Sequence, residues 1–226
     1  MGKTLASSDP ASGQNKQTNP DSHSPFTAAL VLEDGTIIRG QGLGAPGSVV
    51  GEVCFNTGMT GYQESISDPS YAGQILTFTF PHIGNVGTNN DDIEAIKPFL
   101  KGVILRQPIT EASNYRAISN LGEWLTSHGI PGISNVDTRM ITQLIRNKGA
   151  PKGTLVHSPS GDLDLSKALD QTISWSGLEG MDLAKEVSAK EPYRWNDKLW
   201  GTILKNNKGA NYKVIVIDYG VKHNIL

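Results

Sequence analysis

The sequence predicts a mixed α/β fold, and three observations carry the prediction. The first half alternates short apolar strands with turns marked by Gly and Pro, and the second half shifts to a helical period. Near the end stands Lys213-Val214-Ile215-Val216-Ile217-Asp218, a continuous apolar run of the kind that forms a strand buried on both faces of a parallel sheet.

Taken in order, residues 1–25 are mostly Ser, Asn, Gln, Asp, Pro and Gly, with too little apolar surface to offset the entropy of ordering them, and read as a disordered tail. The main domain is expected over 26–205. It opens with Ala28-Ala29-Leu30-Val31-Leu32, then Glu33-Asp34-Gly35-Thr36, then Ile37-Ile38-Arg39, a strand, tight turn and strand, because Asp-Gly accepts the backbone angles of a hairpin. Further strands are expected at Gly51–Asn56, at Gln74–Phe80 and at Gly102–Arg106. Ser119 is placed to cap an amphipathic helix carrying Leu121, Trp124 and Leu125, which Gly129 stops. Asp137 caps a second helix with Met140, Ile141, Leu144 and Ile145 on one face, Arg146 and Lys148 in its last turn and Gly149 beyond it. Both helices are expected to cover one face of the sheet. A short strand at Gly153–His157, a third helix around Asp164–Thr172 and an irregular stretch from Trp175 to Trp200 lead to a polar linker at 206–212. Residues 213–226 then read as the first strand and first helical turn of a second domain, so the chain is expected to be part of a longer protein.

Composition removes several function classes. Twenty Lys and Arg against 22 Asp and Glu give a formal charge of −2, which offers nucleic acid or an anionic membrane no basic footprint. No apolar run reaches the roughly 20 residues of a membrane span, and no lipid anchor is read from Met1-Gly2, since Ala6 stands where that motif needs Ser or Thr. The single cysteine, Cys54, excludes an internal disulfide and suits a reducing cytoplasm. It lies inside a strand, so it reads as structural, because a nucleophilic thiol needs a tight turn or helix N-terminus to lower its pKa.

Other motifs have bland explanations. Gly40-Gln41-Gly42-Leu43-Gly44-Ala45 formally fits a dinucleotide fingerprint, but Pro46-Gly47 and another strand follow where that motif needs a helix. The five histidines lack metal-ligand spacing, and Asp137-Thr138-Arg139 is explained by capping. Two stretches are less easily dismissed. Residues 56–74 form a long connection dense in hydroxyl and amide side chains, and 81–89 leave a strand end with Gly84, Gly87 and several hydrogen-bonding groups.

Asn56-Thr57-Gly58-Met59-Thr60-Gly61-Tyr62-Gln63-Glu64, Asp68-Pro69-Ser70-Tyr71, Pro81-His82-Ile83-Gly84-Asn85-Val86-Gly87, Asp137-Thr138-Arg139 and Gly180-Met181-Asp182-Leu183-Ala184, in this order, resemble the small subunit of glutamine-hydrolysing carbamoyl-phosphate synthase. Leu32-Glu33-Asp34-Gly35-Thr36 and the terminal Asp218-Tyr219-Gly220-Val221-Lys222-His223-Asn224-Ile225-Leu226 extend the resemblance to roughly 28–226. It implies a swivelling β/β/α N-terminal domain that docks on a large subunit, followed by the start of a class I glutamine amidotransferase domain with a parallel sheet. In that family the second domain hydrolyses glutamine through a Cys thioester aided by His and Glu. Ammonia passes to the large subunit, which uses ATP, Mg2+ and bicarbonate to make carbamoyl phosphate for arginine and pyrimidine synthesis. The nucleophile elbow and the His–Glu pair are expected beyond Leu226, so no residue of this chain is assigned as catalytic, cofactor-binding or metal-binding. Ser70 is the one residue to which the resemblance assigns a glutamine contact. The alternative is a non-catalytic adaptor that keeps the fold.

Overall fold

The computed structural model describes residues 26–196 and 213–226. The expected tail at 1–25, the linker at 206–212 and Trp200 lie outside the described residues. The predicted hairpin forms: β1 (Ala28–Leu32) and β2 (Ile37–Gly44) pair antiparallel, and Asp34 accepts the Thr36 N–H at 3.0 Å across the turn. β3 (Gly47–Asn56), β4 (Gln74–Phe78) and β5 (Gly102–Ile104) follow, the last two shorter than expected. β6 (Pro131–Ser134) has no counterpart in the sequence reading, and β7 (Lys152–His157) matches the expected strand within one residue.

These strands close into a barrel in the order β1-β2-β6-β5-β4-β3-β7. β3, β4, β5 and β6 run parallel to their neighbours within that group, and the remaining pairings are antiparallel. Closure removes the edges that an open sheet must protect. Every strand contributes to one interior cluster: Leu30 and Leu32, Ile38, Val53, Ile75, Ile104, Ile133 and Leu155. Each of these is at most 8% exposed, and burial of such a side chain contributes about 1.5–3 kcal/mol.

The helices do not share one face as expected. α1 (Tyr62–Ser67) was not anticipated at all, and α2 (Leu121–Ser127) packs with it outside the barrel in a second cluster, where Ile66, Leu121, Trp124 and Leu125 meet Leu76, Phe78, Val103 and Leu105. α3 (Thr138–Lys148) belongs instead to the interior cluster, through Ile141 and Ile145. In a closed barrel the two sets of alternating side chains face different clusters, so helices that would be neighbours on an open sheet are separated. Met140, expected on the buried face, is 38% exposed. α4 (Leu165–Ser174) lies against β7 and β1, where the Thr172 hydroxyl meets Thr154 Oγ1 at 2.7 Å, and α5 (Leu183–Val187) is a short helix inside the stretch expected to be irregular.

Capping follows side-chain chemistry with one correction. Asp137 accepts the N–H groups of Arg139 and Met140 at 3.0 and 3.1 Å, as predicted, and these bonds hold its carboxyl below the usual aspartate value. At α2 the cap is Asn120, which accepts the Gly122 N–H at 2.7 Å, while Ser119 is held by Thr88.

Lys213–Asp218, read from the sequence as the first strand of a second domain, stands outside the barrel ladder. This run joins no ladder among the described residues, and Val214, Ile215 and Ile217 are 83%, 91% and 74% exposed. A strand needs a neighbour to take its backbone N–H and C=O groups, and none of the described strands offers a free place beside it.

Candidate functional site

The two polar stretches singled out from the sequence come together at one end of the barrel. α1 and the turn Pro69–Tyr71 lie in the connection from β3 to β4, against the loop at 81–94. Much of their hydrogen-bonding capacity is spent internally. The Gln63 amide, 3% exposed, donates to the Asn89 carbonyl at 2.6 Å and accepts the Asn89 N–H at 2.9 Å, as a paired strand would. The Tyr62 hydroxyl donates to the Gly87 carbonyl at 2.6 Å and accepts the Val86 N–H at 3.1 Å, and burial pushes it up to about 12. Asn56 donates to Ser65 and Tyr71, and Ser67 donates to the Gln63 carbonyl. For these residues the density of amides and hydroxyls is explained by loop packing.

Ser70 differs. Pro69 starts the turn, and Asp68 fixes it by accepting the Ser70 N–H at 2.8 Å. The Ser70 side chain is exposed, and its hydroxyl has no hydrogen bond among the described residues. It is thus a held but uncommitted donor and acceptor. In the same connection from β3 to β4, a cleft of about 170 Å³ between Thr60–Glu64, Val86–Gly87 and Asp92 contains the half-buried Glu64 carboxyl, raised chiefly by burial and further by Asp92 and Glu94.

The C-terminal segment docks beside this turn. Lys222 Nζ pairs with Asp68 at 3.3 Å, and Gly220 passes so close that a Cβ would stand 3.7 Å from Pro69 Cβ and 2.5 Å from Val187 Cγ2. Asp218 accepts the Gly220 and Val221 N–H groups and the Tyr193 hydroxyl, each at 2.8 Å. Trp195 packs against His223 with 4.7 Å between ring centroids and a tilt of 42°. Two of the aromatic residues between Trp175 and Trp200 therefore engage this chain's own C-terminal segment. A larger groove of about 450 Å³ runs between Lys190–Tyr193 and Val214–Val216, with Asp218 and Leu226 completing its lining.

The rejected motifs acquire structural reasons. Gly40, Gly42 and Gly44 continue β2, and a side chain at Gly42 would collide with the His157 ring, so close packing accounts for the spacing. The Cys54 thiol contacts Gln74 Oε1 at 3.5 Å and is pushed up to about 12, mainly by burial and also by the charge of Glu52. That direction favours the protonated thiol, the opposite of the lowered value that a nucleophilic cysteine needs.

The stretches holding Gln63 and Asn89 are singled out from the sequence but their pairing is not, and Glu94 lies beyond them; all three are buried polar residues. The available signal was the spacing of Tyr62, Gln63, Ile66 and Ser67, which places two pairs four residues apart on one helical face.

Residues 30–155 match the family model "Carbamoyl-phosphate synthase small chain, CPSase domain". A carbamoyl phosphate synthase small chain of Bradyrhizobium diazoefficiens is 51% identical over 213 residues, covering 92% of this chain and 53% of that protein. The small chain of Rhizobium meliloti is 50% identical over 88% of this chain and 52% of its own length, and that of Bartonella bacilliformis 47% over 100% and 55%. The chain thus spans about half the length of the curated relatives it matches. With a family model covering most of the barrel and relatives of this similarity along nearly all of it, the chain belongs to the carbamoyl-phosphate synthase small chain family.

Proposed function

We propose that this chain is the N-terminal part of the glutamine-hydrolysing subunit of a cytoplasmic carbamoyl-phosphate synthase. In this reading the barrel domain docks on a large subunit that carries ATP and Mg2+, and residues 213–226 begin a glutaminase domain whose Cys, His and Glu lie further along the protein. The ammonia released supplies carbamoyl phosphate for arginine and pyrimidine synthesis. The observation that carries the proposal is the family match itself, about 50% identity along nearly the whole chain but only half of each relative. Because Cys54 lies partly buried within a strand and its thiol is pushed up to about 12, the 226-residue chain alone is expected to release no glutamate from glutamine.

Ser70 is the glutamine contact in this proposal. An exposed hydroxyl on a turn fixed by Pro69 and Asp68, next to the segment that leads toward the second domain, suits a contact made across the domain boundary. The test uses the full-length small chain with its large partner. Removing one neutral hydrogen bond costs about 0.5–1.5 kcal/mol, so Ser70→Ala is expected to raise KM for glutamine about 2- to 13-fold with kcat nearly unchanged. Ammonia-dependent synthesis is expected to stay unchanged, because ammonia bypasses the glutamine site. Equal losses with both nitrogen donors would assign Ser70 to the fold or the subunit interface. The adaptor reading instead requires a natural protein that ends without a glutaminase domain, which the coding sequence after residue 226 decides.

A further inference from the structure

We propose that Glu94 and Asn224 are positioning residues for the glutamine site, their carboxylate–amide clasp setting the Ser70 turn against the segment that leads into the second domain. The inference rests on the reading of Ser70 as the glutamine contact.

Glu94 is 6% exposed, and both oxygens of its carboxylate are directed at one residue 130 positions away. Oε2 accepts the Asn224 N–H at 3.0 Å, and Oε1 accepts the Asn224 side-chain amide at 2.6 Å. The backbone on either side joins in: the Glu94 carbonyl accepts the His223 N–H at 3.0 Å, and the Ile93 carbonyl contacts His223 Nδ1 at 3.1 Å. On its other side Glu94 donates its own N–H to Ser67 Oγ at 2.9 Å. Ser67 ends α1, Asp68 follows, and Asp68 fixes the Ser70 N–H. The chain of contacts from Asn224 through Glu94 and Ser67 to the Ser70 turn is therefore unbroken, with Lys222–Asp68 and Gly220–Pro69 flanking it.

A carboxylate in so buried a place is costly unless hydrogen-bonded, and apolar contact alone would suffice to hold a segment down. A two-point bond to a backbone N–H and a side-chain amide adds direction and register, which sheer adhesion does not. Register matters where a binding site is assembled from two halves, since a misplacement of about 1 Å can cost up to about 100-fold.

The experiment uses the full-length small chain with its large partner and measures glutamine-dependent and ammonia-dependent synthesis in parallel. Asn224→Ala, which removes one bond, is expected to raise KM for glutamine about 3- to 10-fold. Asn224→Asp sets one carboxylate against another and is expected to raise it more. The ammonia-dependent rate stays unchanged in both. Combining Asn224→Asp with Glu94→Gln exchanges the amide and the carboxylate and is expected to return KM to within about twofold of the original. In a Ser70→Ala background, Asn224→Ala is expected to add little, because its effect passes through the residue already removed. Equal losses with glutamine and ammonia, full additivity with Ser70→Ala, or no rescue by the exchange would each overturn the inference. If Ser70→Ala raises KM while Asn224→Ala leaves it unchanged, the clasp alone is overturned. If Ser70→Ala leaves KM unchanged, the glutamine-contact reading falls and the inference falls with it. Asn224→Ala introduces no charge, so it carries the test even if Asn224→Asp fails to fold.

Discussion

Ala28–Leu32 and Val214–Ile217 are both short, unbroken apolar runs of the kind that forms strands, yet Leu30 is 0% exposed and Ile215 is 91% exposed. β1 lies between β2 and β7 and exchanges backbone hydrogen bonds with both, while its side chains alternate between the barrel interior and the face under α4. Val214–Ile217 has the same residue chemistry and no ladder among the described residues. A strand is thus a property of a sequence and its neighbours together, and apolar content reports only that a neighbour is wanted.

The largest expected effect tests that contrast directly. Leu30→Ala in this chain opens a cavity among the interior residues of the barrel and is expected to cost about 2–5 kcal/mol. Ile215→Ala is expected to stay within about 0.5 kcal/mol, as an exposed substitution does. Urea denaturation of the two variants measures both. A comparable loss for Ile215→Ala would mean that the C-terminal run is buried in solution.

A smaller effect separates two polar residues in the connection from β3 to β4. Gln63→Ala leaves the buried N–H and C=O of Asn89 without their partner, and an unsatisfied buried group costs about 1–3 kcal/mol. Ser70→Ala removes an exposed hydroxyl and is expected to change stability by no more than about 0.5 kcal/mol. If the two variants melt alike, the division of this region into packing residues and an uncommitted hydroxyl is broken.

The same contrast explains what was legible in the sequence. The hairpin at Asp34-Gly35, the cap at Asp137 and the stop at Gly149 were readable because each depends on residues within a turn of one another. β6 was missed because Pro131-Gly132-Ile133-Ser134 has little strand propensity of its own, and its place between β2 and β5 supplies the pairing. α1 was read as loop because it is six residues long and Gly61 provides no side-chain cap. Ser70 is reached through the resemblance alone, because an exposed hydroxyl on a turn carries no local pattern of its own. Glu94–Asn224 joins residues 130 positions apart, and no local pattern marks either one. Barrel closure was hidden for the same reason, since it depends on β1 meeting β7.

The smallest expected effect concerns what holds the C-terminal segment once apolar burial is lacking. One of its fastenings is the Asp218 carboxylate, which takes the Tyr193 hydroxyl from outside the segment and the Val221 and Gly220 N–H groups from within it: burial raises the carboxyl, but these bonds outweigh it, and the value falls below the ordinary 3.8. A carboxyl with a lowered value in the docked state stabilises docking above its free value and loses that contribution as pH falls through the docked one. Docking at Asp218 is therefore expected to persist at neutral pH and through pH 5, and to weaken only below 3.8. Amide exchange at Gly220 and Val221, followed beside that of Leu30, reads this locally, because the β1 amides report the barrel and not the anchor. Protection at Gly220 and Val221 should fall first on acidification while Leu30 remains protected. Asp218→Asn keeps one carbonyl oxygen to accept a backbone N–H but cannot titrate, so it should weaken docking slightly at neutral pH and flatten the acid transition. Loss of protection already at pH 6, unchanged in Asp218→Asn, would show that another group governs the segment, and the contrast between an apolar barrel and an end held by polar contacts would have to be redrawn.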